Sequence, residues 1–176
     1  MVVTSCNKSA PDPVAEAIEA AAMKDTEGPY TFRITSLAKL DSTTFRTEID
    51  RRKEQFVLKQ QAEEKLYHKY FQEAKKQNAE NHRLAMEKAK NNLEYMDALE
   101  ANMAARLDEI AYYDYVFSGY SETEAGRVTY NDVYVTITPE GEVLSMTSDK
   151  RDMHKSTGRV IPGYIETITS ITLSEE

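Results

Sequence analysis

Apolar positions divide this chain into three parts with different periods. Between Asp41 and Ile110 there is neither proline nor glycine, and the composition favours residues that lose little rotamer freedom in a helix. Phe45, Ile49, Phe56, Leu66, Tyr67, Tyr70, Phe71 and Ala74 recur on one face at a 3.6-residue period. Leu93, Met96, Leu99, Met103, Leu107 and Ile110 do the same further on. Asp41-Ser42-Thr43-Thr44 offers several N-caps. As one rod the run would be roughly 105 Å long at 1.5 Å per residue. The stretch from Lys75 to Arg83 lacks a large apolar side chain and carries Asn78 and Asn81, which tolerate the left-handed backbone that closes a helix. An αα-hairpin turning near Asn78–Asn81 is therefore expected. A long rod would have to dimerise to hide its stripe.

On either side the period changes to two. Tyr30, Phe32 and Ile34 alternate with Thr31, Arg33 and Thr35. Tyr112 to Tyr120 is aromatic and strand-forming, and Glu124-Ala125-Gly126 supplies a turn. From Arg127 to Thr138, Val133, Val135 and Ile137 mark one face, with Tyr130, Tyr134 and Thr136 on the other. Pro139-Glu140-Gly141 reads as a hairpin connection, Glu142 to Thr147 as a returning strand, and Val160 to Leu173 as a closing one. Before all of these, Asp12-Pro13 announces a short helix continuing to Lys24. The expectation is one α+β domain over 12–176, following a tail of residues 1–11. Its antiparallel sheet would have about four to five strands, with the helical hairpin 41–110 inserted after the first. In outline this is similar to the curled sheets of the cystatin and nuclear-transport-factor folds, an architectural analogy that carries no function.

Charge narrows the partners. Charged residues make up 30% of the 176, with a formal net charge of −8. Phosphate neutralisation needs concentrated Lys and Arg, so nucleic acid is not an expected partner. The whole-chain balance also argues against adsorption to anionic membranes. No apolar run approaches the roughly 20 residues that span a bilayer.

The single cysteine, Cys6, excludes an intramolecular disulfide and a cysteine-only metal site. Val3-Thr4-Ser5-Cys6 places an aliphatic residue and two small ones before it, and Asn7-Lys8-Ser9-Ala10-Pro11-Asp12 follows as a polar spacer. This stretch resembles the lipobox of bacterial lipoproteins. The resemblance implies lipidation at Cys6 and a domain held at the cell envelope, bound to the membrane through that lipid. Only Met1-Val2-Val3 precede the motif, short of the 7–15 apolar residues of a signal peptide. Either the leader has been trimmed, the start lies elsewhere, or Cys6 is an ordinary thiol in a polar tail.

Candidate chemistry is sparse. The loop from Asp149 to Arg159 gathers Asp149, Asp152, His154 and Ser156, the residue types of a nucleophile–base set or a metal site, at undiagnostic spacing. An exposed connecting loop is the plainer reading. No Glu-x-x-His occurs, so His68 and His82 do not suggest a carboxylate-bridged di-metal bundle. Six glycines leave little room for a phosphate-cradling loop. No catalytic residue, metal or cofactor is expected. Eleven tyrosines and no tryptophan bias the sheet toward amphipathic rings, and Tyr113, Tyr115, Tyr130 and Tyr134 form a candidate binding face. The expected function is a non-enzymatic envelope lipoprotein that binds a protein or glycan partner. The alternatives are a cytoplasmic assembly module that homodimerises through 41–110 and, further off, a hydrolase or metal-dependent enzyme using the 149–159 loop.

Overall fold

A computed structural model describes residues 12–24 and 30–165. Helix α1 (Pro13–Met23) opens as the sequence predicts: Asp12 Oδ1 accepts from the Val14 amide at 2.9 Å, and Pro13 occupies a position whose N–H has no helical partner. Strand β1 (Thr31–Thr44) follows and runs nine residues further than the alternation around Phe32 suggests. Of the expected caps only Thr44 is used, accepting from the Thr47 amide at the start of helix α2 (Phe45–Gln72). Helix α3 (Lys76–Asn102) returns antiparallel along α2. Strands β2 (Ile110–Thr123), β3 (Gly126–Ile137) and β4 (Val143–Thr147) complete an antiparallel sheet of order β1-β2-β3-β4. The fold is α+β, with the hairpin inserted after β1.

The chain divides into two compact units, Met1–Asp41 with Tyr113–Met153, and Ser42–Tyr112 with His154–Glu176. In the first, α1 covers one face of the sheet. Ile18, Phe32, Phe117 and Val135 are buried together, flanked by Val14, Tyr115, Tyr130 and Val133. Each contributes about 1.5–3 kcal/mol by leaving water. The Phe32 and Phe117 rings meet edge-on at 5.9 Å. Gly119 lets the strands close in, since a Cβ there would stand 2.4 Å from the Arg33 carbonyl oxygen.

In the second unit, Phe45 and Ile49 on α2 and Ala89 and Met96 on α3 are buried along the hairpin seam. Lys53 reaches across to Glu100 at 2.6 Å, and His82 Nδ1 lies 2.6 Å from Glu63 Oε2. The reversal comes at Glu73–Lys75, earlier than Asn78–Asn81. Ala74 takes φ 57, its amide bonds the Phe71 carbonyl at 3.1 Å, and the Lys75 amide bonds the Tyr70 carbonyl at 3.0 Å. These two bonds make a Schellman close. Asn78 and Asn81 are helical within α3, where Gln77 donates to the Asn81 side chain.

Two further segments differ from the expectation. The second helix stops at Asn102, and Leu107 caps the unit from a turn rather than from a helix face. Its carbonyl accepts from Arg46 N at 2.8 Å and its side chain is buried, while Ile110 already begins β2. Thr157–Val160 is a 3-10 turn, not the start of a strand. Residues 161–165 continue as a turn leading into helix rather than as strand, and the rest of the expected closing strand, like Cys6, lies outside the described residues.

Candidate functional site

The 149–159 loop is where the sequence points for chemistry, and its side chains are divided. Asp149 and Asp152 belong to the first unit, His154 and Ser156 to the second. Asp149 caps the 3-10 turn Lys150–Asp152, accepting from the Arg151 amide at 2.9 Å and from its guanidinium. Asp152 closes that turn and is half-buried. Ser156 is exposed and precedes the next turn without a capping side-chain bond. His154 contributes its backbone, which takes it to the polar centre of the second unit.

That centre is Glu48, which is fully buried on α2. Its Oε1 accepts from Arg52 Nε at 2.7 Å and from the Thr157 hydroxyl at 2.8 Å. Its Oε2 accepts from Arg51 Nη1 at 2.6 Å and from the Tyr112 hydroxyl at 2.6 Å. Arg52, also buried, sends Nη2 to the His154 carbonyl and to Thr157 Oγ1, both at 2.7 Å, and Nη1 to Gln55. The Tyr112 ring lies 5.7 Å from that of His154. Burial, and then the Glu48 carboxylate, push the Tyr112 hydroxyl up to about 12. Gly158 admits the Tyr164 ring, because a Cβ there would meet its edge at 2.6 Å.

A carboxylate has about four acceptor positions, and Glu48 has four donors. No position remains to take a proton from a substrate. The cluster therefore acts as a clasp, fixing residues 154–158 to α2 by charge-assisted bonds. It is the main feature that the apolar stripe conceals. Arg52 falls between Ile49 and Phe56 at helical spacing on the apolar stripe, and a charge at such a position is the signal that marks it.

The four candidate tyrosines do not share one face. Tyr113 pairs with Ile137 and Tyr115 with Val135, whereas Tyr134 pairs with Val116. Between the Phe117–Val133 and Gly119–Tyr130 pairs, β3 spends one residue more than β2, and Asp132 adopts φ 51. This bulge turns Tyr130 onto the Val133 side. Tyr130 packs 5.6 Å from Phe32 and bonds Ser121 through its hydroxyl, as part of the core. Tyr134 is left on the opposite face, with Asp114 and Thr136.

Tyr113 and Tyr115 do come together. With Val14 and Ala17 of α1, and with Ile137 and Pro139, they line a groove of about 340 Å³ in the first unit. Ligand pockets begin near 300 Å³ and combine apolar walls with a few polar groups. Lys39 Nζ stands 4.0 Å over the Tyr113 ring. Burial, then the Asp12 carboxylate and Tyr113, raise the Tyr115 hydroxyl above its ordinary range. The groove thus offers two tyrosine rings with their hydroxyls among apolar walls, a set suited to a peptide or a sugar ring.

Among the described residues no three His, Cys, Asp or Glu side chains converge as a metal site requires, and no helix is long and apolar enough to cross a membrane. No protein-family model, curated protein or solved structure matches the chain.

Proposed function

We propose that this chain is a non-enzymatic binding module of the bacterial cell envelope, anchored by lipid on Cys6 and engaging a protein or glycan partner. Placement at the envelope rests on the Val3-Thr4-Ser5-Cys6 sequence and the polar spacer behind it. Binding rests on the Tyr113–Tyr115 groove, the observation that carries the reading. Acyl chains contribute about 0.8 kcal/mol per buried CH₂, so several chains on one cysteine hold a domain firmly. The fully engaged Glu48 cluster supports a role without catalysis, because its polar groups are spent on holding the chain.

The test is metabolic labelling of the native gene product with an alkyne fatty acid, beside a Cys6→Ala control, with fractionation of the same cells. Label that depends on Cys6, and membrane retention with it, is expected. A soluble, unlabelled protein overturns the envelope placement and leaves a cytoplasmic module pairing through its helices.

A further inference from the structure

The closed end of the hairpin differs in chemistry from the rest of the chain. Tyr67 and Phe71 pack 5.8 Å apart on the last turns of α2, and Phe71 remains 66% exposed. Tyr70 stacks on His82 at 5.2 Å, with the ammonium groups of Lys69 and Lys75 each 5.6 Å from its ring. Residues 65–76 hold Lys65, Lys69, Lys75 and Lys76 against one acid, Glu73, in a chain whose formal charge is −8. Glu73 is bonded to Lys75 at 2.8 Å. Of the nearest other acids, Glu63 is engaged by His82 and Glu80 by Arg83, while Glu64 is exposed beside Lys65, at the end of the stretch away from the turn. Whole-chain charge averages this local excess away.

We propose that the 65–76 hairpin end is a contact site for anionic lipid headgroups, with Phe71 as the inserting side chain. Amphipathic tyrosine rings beside lysines with long apolar stems match the boundary between headgroups and acyl chains. Charge complementarity selects the anionic surface, where each lysine strengthens binding roughly five-fold. Area argues against a second copy as the occupant. Two helix ends, each about 10–12 Å across, present on the order of 200 Å², against about 800 Å² per partner in a stable protein interface. Two identical cationic ends would also repel. The site does not depend on lipid at Cys6.

Because the chain contains no tryptophan, Phe71→Trp makes a single fluorescent reporter. The full-length, unlipidated protein carrying it is mixed with vesicles of phosphatidylglycerol or of phosphatidylcholine. A blue shift, with quenching by brominated acyl chains, is expected on phosphatidylglycerol alone. Adding Lys69→Glu, Lys75→Glu and Lys76→Glu should lower partitioning on the order of a hundredfold or more. These side chains are exposed, so circular dichroism should not change. An absent shift, or one equal on both lipids or unaffected by the lysine changes, overturns the proposal. So does a shift without vesicles that grows with protein concentration, which would mark self-association. Working without lipid on Cys6 keeps the outcome separate from that of the labelling experiment.

Discussion

Glu48 is the residue whose loss should be felt most. Taking a carboxylate out of water is costly, and here four donors offset that cost: two guanidinium groups, a phenol and a hydroxyl. Glu48→Ala removes the acceptor but leaves Arg52 buried, so a loss of about 3–5 kcal/mol is expected, read as a lower denaturant midpoint. Tyr112 adds a pH dependence of definite sign. Its hydroxyl ionises near 10 in an unfolded chain and near 12 in the folded one. Below pH 10 both states are protonated and its contribution is complete. Between 10 and 12 the unfolded state loses its proton first, so stability falls with rising pH, by about 2–3 kcal/mol in all. Urea unfolding of the native protein and of Tyr112→Phe should therefore converge as pH rises from 9 to 12. A gap that stays constant would place the Tyr112 hydroxyl in ordinary solvent.

The helical hairpin turns on a residue poorly suited to its position. Ala74 holds a left-handed backbone, which costs an L side chain roughly 1–2 kcal/mol, while its amide and that of Lys75 close the helix. Ala74→Gly removes the strain at some cost in unfolded-chain entropy, so a net gain of about 0.5–1 kcal/mol is expected as a higher melting temperature. This position also explains why the turn was hard to read in the sequence. Local preference pointed to Asn78 and Asn81, but the pairing of α2 with α3 fixes the register, bringing Glu63 and Tyr70 onto His82. Both helices and the antiparallel sheet were legible because 3.6- and 2-residue periods persist over many positions. The β3 bulge was not, because a single extra residue leaves the alternation on either side intact. The Asn131-Asp132 pair, tolerant of positive φ, was its only mark. Tyr113 and Tyr115 could be placed together from the sequence because no irregularity lies between them. Tyr130 and Tyr134 could not.

At the scale of the whole molecule the question is what remains for a second copy to bind. Much of the apolar stripe that predicted either a hairpin or a dimer is used within the chain, where Phe45 and Ile49 of α2 and Ala89 and Met96 of α3 are buried. Val57, Leu58, Leu84 and Tyr95 are still exposed along the two helices, and Phe71 at their closed end. Scattered single apolar side chains of this kind are ordinary on a protein surface, whereas association needs a contiguous patch. The net charge of −8 adds mutual repulsion between copies. A monomer of 20.1 kDa is therefore expected in sedimentation at micromolar concentration. Should the mass instead rise with concentration, and fall back on Leu58→Ser or Leu84→Ser, the hairpin would be an assembly surface. The function would then lie in pairing rather than in the tyrosine groove. A monomer leaves the groove and the hairpin end as separate sites on one chain, and lets their ligands be sought independently.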